Sequence, residues 1–445
     1  MTRWSLLALG CLVCTGCALH QTPTEIAATQ PAVTTEEIVA APPVIPPQTF
    51  LLTDFGAVGD GDTFDTDAFK KAVNAIAKAG GGHLIVPAGT YLTKSFTLVS
   101  HMDLHLERGA TIQAPTRYSD YGLPDPGKRP ATRPVGARGF AFARLPALIS
   151  ASKVTDVSIT GSGTIDGSGG MFWLFASQAA RRYLPNSMQY PRPVLIAIHG
   201  DRLLFDGVTL TNSPMFHLTP SGNDILIENL HIVAPSDSPN TDAMDLRGQR
   251  IVVRHCEIDV GDDHVEIGGP CKDILVEDLT CLHGHGISIG SPTRGGVSHV
   301  IVRRCTFDSS ENAIRIKSAR GRGGLIEDVT YSDISIKNIT KMPIDITMLY
   351  SGEREPDPDG DFTDIPQVRN VRLSNITITG CHRVGRIVGL PEQLATDITL
   401  ENVNATTDQG VYVQDATNIF FKNVQMDIAV GKPIITDNGK VTVTP

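Results

Sequence analysis

The chain has 445 residues, of which 41% are hydrophobic and 19% charged, and this composition is typical of a folded protein. Its formal net charge of −10 at pH 7 argues against a nucleic-acid-binding protein, because contacts with phosphates need a basic surface. An acidic polymer is compatible with this charge if the cationic side chains are gathered in one place. The 42 glycines and the aromatic content of 6% favour a turn-rich β protein.

The first 17 residues have the layout of a signal peptide. Arg3 precedes an apolar run, residues 4–13, that is too short to span a bilayer, and small residues close the segment at Cys17. The sequence Thr-Gly-Cys is similar to the processing site of bacterial lipoproteins, in which the cysteine is lipidated. We therefore expect export, with a lipid on Cys17 and a location at the outer membrane or in the periplasm. Ordinary signal cleavage and secretion is the alternative.

Residues 18–48 are predicted to be a flexible or partly extended tether. Proline, threonine and alanine dominate this stretch, and no apolar period persists in it. The folded domain is therefore expected to run from residue 49 to residue 445.

One clear helix is predicted near the start of this domain. Asp65 or Thr66 can cap its N-terminus, and three glycines, residues 80–82, end it. Its apolar face carries Phe69, Val73 and Ile76. Such a helix would cover the open end of the domain, where core and strand edges would otherwise be exposed.

An eight-residue pattern recurs through the rest of the domain: apolar, any, apolar, any, Asn/Asp or a substitute, apolar, any, apolar. It is seen in "LLFDGVTL" from Leu203, "ILIENLHI" from Ile225 and "VRLSNITI" from Val371, and successive copies start 21 to 42 residues apart. The alternation has a strand period, and no amphipathic helices intervene. These features predict an all-β solenoid, the right-handed parallel β-helix, with one copy per coil. An ankyrin or leucine-rich solenoid is the alternative, but its helices or leucine signature are missing.

Several ionisable residues are separated by about one coil. The intervals from Asp242 to Asp262, from Asp263 to His285 and from His285 to Arg315 are 20, 22 and 30 residues. Equivalent positions in neighbouring coils of parallel strands lie side by side. We therefore expect one column on one face of the solenoid: Asp242, then Asp262 and Asp263, then His285, then Arg315 and Lys317.

Side-chain parity refines this prediction. In "NAIRIKSA" the isoleucines point inward, so Arg315 and Lys317 share the outer face, where two cations suit a sugar carboxylate. Asp242 and His285 have the parity of their apolar neighbours and would point inward on a continued strand. Bends at nearby glycines, such as Gly284 and Gly286, would bring them out; without such bends these residues would be buried.

The carboxylates of this column suit glycoside hydrolysis, in which one carboxyl group donates a proton and another activates water. Repulsion between Asp262 and Asp263, with Asp242 one coil away, is expected to raise the pKa of one of them and to keep a proton available. A calcium site is a rival use of clustered carboxylates. His285 and the neighbouring cations argue against it, and no metal is expected.

Four motifs in this order resemble those of glycoside hydrolase family 28, the polygalacturonases: "NTDAMD", "GDD", "GHGISIGS" and "AIRIKSARGRGG". Supporting stretches are "DFGAVGDGDTFDT", "ITGSGTIDG", "NSPMFHL" and "GLPE". The resemblance covers residues 53–401, which is nearly the whole domain.

The resemblance implies a right-handed β-helix that cleaves α-1,4-linked galacturonic acid in pectin, with inversion at the anomeric carbon and without a cofactor. Carried over motif by motif, Asp262 is the general acid, while Asp242 and Asp263 hold and deprotonate the attacking water. His285 tunes the acid or contacts the sugar. The implied substrate-binding residues are Arg315 and Lys317, on the sugar carboxylate, and Tyr350, which lines the cleft.

The chain departs from the family pattern next to the site. Ala243 replaces the usual glycine, and in "GDDHVEIGG" the residues His264, Glu266 and Gly268 stand where the family more often has a Cys or Asn, an Ala and a Lys. An added carboxylate and a lost cation are expected to shift subsite preference. The arginine-rich residues 127–144 either restore positive charge as a wall of the cleft or form a solvated loop.

Alternative functions are kept open by the sequence. The substrate could be a decorated pectin backbone, such as xylogalacturonan or rhamnogalacturonan. A lyase of the same fold would give unsaturated products, and a β-helix adhesin or polysaccharide-binding protein would bind pectin without releasing reducing ends. In the leading interpretation the partner is an acidic polysaccharide, the protein is monomeric, and nucleic acid is not bound.

Overall fold

The computed structural model describes residues 37–122, 145–181, 191–350 and 364–445. Cys17, the predicted signal peptide, the first part of the predicted tether and the arginine-rich residues 127–144 lie outside these ranges. Within them, no helix is long and apolar enough to cross a membrane.

Parallel strands, from 2 to 34 residues long, make up most of the described chain. Its helices are α1 (Thr66–Ala79) and α2 (Gly170–Arg181), with two 3-10 turns at Leu52–Phe55 and Tyr118–Tyr121. The strands are β1 (Thr49–Leu51), β2 (Asp60–Phe64), β3 (Gly82–Val86), β4 (Gly89–Leu92), β5 (Phe96–Thr97), β6 (Met102–Leu106), β7 (Ala110–Gln113), β8 (Ile149–Gly161), β9 (Thr164–Asp166), β10 (Ile196–Asp206), β11 (Thr209–Thr211), β12 (Leu218–Glu228), β13 (His231–Val233), β14 (Asp245–Arg254), β15 (Glu257–Asp259), β16 (Val265–Glu277), β17 (Thr280–Cys281), β18 (Ile287–Ile289), β19 (Val297–Arg303), β20 (Thr306–Asp308), β21 (Asn312–Lys317), β22 (Leu325–Lys337), β23 (Met342–Thr347), β24 (Gln367–Val388), β25 (Ala395–Ile428) and β26 (Ile434–Thr444).

Each strand pairs in parallel with the equivalent strand of the next coil. The first apolar position of the repeat stays in register from Ile251 to Ile274, then to Val300 and Val329. These side chains are fully buried and form one continuous apolar core along the solenoid. The chain is therefore a right-handed parallel β-helix, and the predicted fold is confirmed.

The fifth position of the repeat forms a tight bend, which lies between two strands at Asn229 and Asp278 and within strand β25 at Asn402. It has a positive φ in every coil, for example 59° at Asn229, 56° at Asp278 and 54° at Asn402. Asparagine and aspartate tolerate this left-handed region better than most residues, which accounts for their recurrence in the sequence. Their side chains also bond along the stack, because Asn402 Nδ2 donates to Asn375 Oδ1 at 3.1 Å.

Helix α1 covers the N-terminal end of the solenoid, as predicted. Asp65 is its N-cap residue, although its carboxylate accepts hydrogen bonds from the N–H groups of Val58 and Gly59 rather than from the helix. Gly80 ends the helix with a φ of 83°. On the apolar face, Phe69 stacks on the buried ring of Phe96, so the helix covers the first coil.

The predicted tether is not free over its whole length. From residue 38 the chain lies along the outside of the solenoid, where Ile38 and Ala40 are buried against Val252 and Leu275. Two backbone hydrogen bonds add to this packing, Ala41 N–H to Asp224 Oδ1 (3.3 Å) and Val44 N–H to Asp156 Oδ1 (3.0 Å). The physical reason is that the second position of the repeat, although it faces outward, is apolar in these coils. The expected boundary at residue 48 is therefore corrected to about residue 38.

Candidate active site

The outer face of one sheet of the solenoid forms the floor of the candidate site. Along this sheet Ile267, Ile289 and Ile316 are in register and point into the core. The alternate positions Glu266, Ser288 and Arg315 are in register on the opposite face. Because the period of a strand is two, the next outward position after Arg315 is Lys317.

The predicted column of acids and histidine is brought together above this floor. Asp242 and Asp263 lie in adjacent coils that are linked by the Ala243 N–H bond to Asp263 O, 2.9 Å long. Asp262 Oδ1 lies 2.6 Å from His285 Nδ1, and ligand atoms of Asp262, Asp263 and His285 all lie within 4.8 Å of one another.

The bends that the sequence required are present. Strand β18 begins only at Ile287, and before it Gly284 and Gly286 have φ values of 145° and 89°. A Cβ atom at Gly286 would lie 2.5 Å from Ala313 O, so only glycine allows the coils to approach there. This break in the strand turns His285 out of the core and toward Asp262.

Asp263 is enclosed by cations. Lys317 Nζ lies 2.6 Å from its Oδ2, Arg315 Nη1 lies 3.3 Å from its Oδ1, and Ser288 Oγ donates to Oδ1 at 2.7 Å. Burial lowers the pKa of Lys317, but attraction to Asp263 outweighs burial and raises it above its ordinary value. The two cations that the sequence assigned to a sugar carboxylate therefore have an internal partner, and Lys317 is only 6% exposed.

Asp262 lies in a chain of charged groups. Burial raises its pKa, but the hydrogen bond with His285 and the attraction of His285 and Lys317 outweigh burial and lower the pKa below its ordinary value. On its other side, His285 Nε2 lies 2.8 Å from Glu311 Oε2. Glu311 was not found from the sequence, where it is one of many acids in loops.

Asp242 has the opposite electrostatic environment. It is buried, and its Oδ1 has no hydrogen-bond partner among the described residues. Burial first, and then repulsion from Asp245, Asp262 and Asp263, raises its pKa well above the ordinary value. Burial, more than adjacency, therefore places a raised pKa on Asp242, whereas the sequence directed attention to the Asp262–Asp263 pair.

Arg192 is a second residue of the site that the sequence did not reveal. It donates to the carbonyl oxygens of Pro214 and Pro239 and to Asn240 Oδ1, the last at 2.6 Å. The amide of Asn240 then approaches Asp262, with Nδ2 3.4 Å from Oδ2. Arg192 thus ties the loop before strand β12 to the loop that leads into Asp242, and nothing in its local sequence indicates this.

Tyr350 lies beside a group of three cations. Its ring centroid is 5.6 Å from Arg315 Cζ, 5.3 Å from Lys317 Nζ and 5.5 Å from Arg322 Cζ. Distances below about 6 Å are those of cation–π contacts. The predicted substrate-binding residues therefore lie together, and Arg322 joins them.

The grouped carboxylates do not favour a divalent cation. Asp262, Asp263 and His285 are close enough to hold one. However, Asp263 is already neutralised by Lys317 and Arg315, and a metal ion there would be repelled by both. The arrangement instead suits proton transfer between differently charged carboxyl groups.

Two buried histidines hold the coils of the acids in place. The neutral ring of His264 donates from Nε2 to Leu282 O and accepts at Nδ1 from Gly286 N–H, at 3.2 and 3.1 Å. The ring of His217 lies 3.1 Å from Asp242 O through Nδ1. Burial lowers the pKa of each to about 4. His264, one of the unexplained departures, is therefore a core residue whose hydrogen bonds require the neutral form.

These histidines predict acid lability. Their folded pKa of about 4 lies below the ordinary 6.5, so the unfolded chain binds protons first. The contribution of these two histidines to the free energy of unfolding is fully present above about pH 6.5. It is lost as the pH falls towards 4, by roughly 3 kcal/mol for each histidine. Urea unfolding between pH 7 and pH 4 measures this loss. In His264→Gln the slope should be shallower, whereas His382→Gln, at an exposed histidine, should keep it; equal slopes in both variants contradict the prediction.

Comparisons with known proteins agree with this geometry. The family model described as "Glycosyl hydrolases family 28" matches residues 135–427, and "Rhamnogalacturonase A/epimerase, pectate lyase-like" matches residues 51–105. The chain is 33% identical over 372 residues to a probable polygalacturonase of Vitis vinifera, covering 79% of this chain and 73% of that one. It is 30% identical over 401 residues to a polygalacturonase of Chamaecyparis obtusa, covering 86% and 68%. A solved exopolygalacturonase of Thermotoga maritima superposes with a TM-score of 0.73 at 27% identity, covering 87% of this chain and 94% of that one.

Proposed function

Since the chain belongs to glycosyl hydrolase family 28 and is a pectin-degrading glycoside hydrolase, we propose that it cleaves α-1,4-galacturonosyl linkages with inversion through Asp242, Asp262 and Asp263. The observation that carries this proposal is the contrast between two neighbouring carboxylates. Asp263 is enclosed and paired with Lys317, while Asp262 is more exposed and bonded to His285. Opposite environments are what an acid and a base need.

Asp262 is the proposed general acid. Its side chain is 18% exposed, against 3% for Asp263, so it has more access to a leaving oxygen. In the free protein its pKa is lowered, and it must therefore gain a proton when substrate binds. His285, at 2.6 Å, is the nearest source, and the sugar would displace water from Asp262 and favour its neutral form.

Asp263 and Asp242 are the proposed partners of the attacking water. Lys317 and Arg315 pair with the carboxylate of Asp263, which is the group proposed to accept the proton of water. Asp242, with one oxygen free of described partners, can hold the same water by a hydrogen bond. Because these carboxyl groups interact, their protonation is a property of the group rather than of single residues.

The sugar carboxylate at the cleavage point is proposed to lie against Arg315, Arg322 and Tyr350. Arg315 uses Nη1 on Asp263, and its Nε has no described partner. Lys317, being almost fully enclosed, acts mainly on Asp263. Lys317 is therefore assigned mainly to Asp263, whereas the sequence had assigned it to the sugar carboxylate. Arg315 and Tyr350 keep their proposed contacts with the substrate.

Export with a lipid on Cys17 is also proposed, because an apolar segment that ends in Thr-Gly-Cys precedes the domain. Incorporation of labelled palmitate, and its loss in Cys17→Ser, measures this.

The reaction is tested by incubating the protein with polygalacturonate. We expect new reducing ends without any rise in the ultraviolet absorbance that unsaturated sugars give. Absorbance that rises in step with cleavage would instead show elimination. Binding without new reducing ends would show a polysaccharide-binding protein.

A further inference from the structure

A further cation, besides Arg315 and Lys317, lies on the floor of the site, and the proposed mechanism does not use it. Arg247 extends from strand β14 on the outer face, two positions beyond Asp245. By register and strand period Gly268, Gly290 and Lys317 follow one another in adjacent coils, and Arg247 precedes Gly268 at a point where the register of the two strands shifts. Arg247 therefore shares with Lys317 the face on which the acids lie.

The guanidinium of Arg247 lies over the next coil rather than over its own. A Cβ atom added at Gly268 would be 2.2 Å from Arg247 Cζ and 2.4 Å from Nη2. The guanidinium thus occupies the space of a side chain at residue 268, at the level of the coil that carries Asp262 and Asp263. Lys317 lies two coils farther along, about 9.6 Å at the usual spacing of parallel strands. Between them Gly290 contributes no side chain.

The guanidinium is held in place and keeps free donors. Its Nη1 donates to Glu266 Oε2 at 2.5 Å and to Leu246 O at 2.7 Å. No described residue accepts a hydrogen bond from its Nε or Nη2, and the side chain is 32% exposed. A guanidinium that is fixed along one edge and open along the other can bind a carboxylate in forked geometry.

Two buried acids, Glu266 and Asp245, lie beside this positive charge. The two acids are in register in adjacent coils and are buried, and Asp245 Oδ2 and Glu266 Oε1 have no hydrogen-bond partner among the described residues. Burial, followed by their mutual repulsion, raises the pKa of Asp245 well above its ordinary value, and burial also raises that of Glu266. Both shifts favour the neutral forms of these acids, while Glu266 Oε2 is the partner that anchors Arg247.

We propose that Arg247 is a second carboxylate-binding residue, which holds a galacturonate unit next to the one at Arg315 and Tyr350. This inference rests on the proposed function, because it assigns a subsite of the same cleft. It makes an acidic sugar at two neighbouring positions the preferred substrate. It also accounts for two departures of the sequence together, since Glu266 anchors Arg247 and Gly268 leaves room for it.

The test is steady-state kinetics on polygalacturonate. Arg247→Ala is expected to raise KM about tenfold with kcat within twofold, because a charge-assisted contact of ground and transition state is lost. Arg247→Gln, which keeps a donor for Glu266, should raise KM by a similar factor and serves if the alanine variant does not fold. The matched control is Arg254→Ala, on the same strand and paired with Glu228 away from the floor, which should leave KM unchanged.

Moving the cation gives the sharper result. In Arg247→Ala/Gly268→Lys the new side chain points into the space that the guanidinium left, and KM should return to within about threefold of the parent. Arg247→Ala/Gly268→Met, with the same length but no charge, should keep the high KM. An active parent whose KM is unchanged in Arg247→Ala and Arg247→Gln, or is restored equally by lysine and methionine, overturns the inference. A parent that does not cleave polygalacturonate overturns the proposed function instead.

Discussion

Replacing Asp262 by asparagine is expected to lower kcat on polygalacturonate about 10³-fold, because an amide of the same shape cannot donate a proton to the leaving oxygen. KM should change little, since Asp262 has no assigned contact with the sugar carboxylate. The fold should persist, because the side chain lies at the surface of the floor rather than in the core. Initial rates of reducing-end release, measured beside thermal unfolding, give both quantities.

A matched control for this variant exists in the same coils. Asp259 also pairs with a histidine, His283, at 2.9 Å, but this pair lies on another face, where His283 is exposed and Asp259 is half-buried. Asp259→Asn should retain the parent rate. If Asp262→Asn turns over normally, Asp262 is not the general acid; if Asp259→Asn falls as far, the loss has a structural cause.

Replacing Lys317 by methionine should give the second-largest effect. The change leaves Asp263 buried without its closest cation, and breaking a buried ion pair in this way costs about 3 kcal/mol of unfolding free energy. Asp263 then lacks the cation that holds its carboxylate in place for the attacking water, so we expect kcat to fall about 10²-fold. Urea unfolding and kinetics on polygalacturonate measure the two losses.

The division between kcat and KM decides between two roles for Lys317. A fall mainly in kcat supports its action on Asp263, whereas a rise in KM at constant kcat would show that it serves the sugar carboxylate alone. Lys317→Met/Asp263→Asn should recover stability, because both charges are removed, but not activity. Lys272→Met, at an exposed lysine of strand β16, is the control and should match the parent.

The arrangement of the site was predictable from the sequence because a solenoid converts sequence spacing into position. Intervals of 20 to 30 residues are the lengths of single coils, so Asp242, Asp262 and His285 had to be neighbours if the repeat was real. The alternation of Ile314, Arg315 and Ile316 fixed which side faces outward. The need for bends followed from parity, and glycine was present where bends were required.

The electrostatic state of the site was not predictable in the same way. Two adjacent aspartates suggested repulsion, but the shifts depend on what lies around each carboxyl group in space. Lys317 reaches Asp263 across 54 residues of sequence, and burial, which no spacing reveals, places the raised pKa on Asp242. Charged side chains were recognised, but their partners were not.

Contacts made by side chains that cross between coils could also not be predicted from the sequence. Arg247 belongs to one coil and acts over Gly268 of the next, and Glu311 reaches His285 from a loop. The apparent loss of a cation at residue 268 is therefore compensated in space. Long flexible side chains break the simple rule that a residue acts at its own level of the solenoid.

The stereochemistry of cleavage tests the proposed inverting mechanism most directly. Proton NMR of oligogalacturonate during the first turnovers should show the new reducing end in the β configuration, before mutarotation, because a water held by Asp242 and Asp263 attacks the face opposite the leaving group. A new reducing end that forms first in the α configuration would show retention. That result would contradict the assignment of one acid and a two-carboxylate water site.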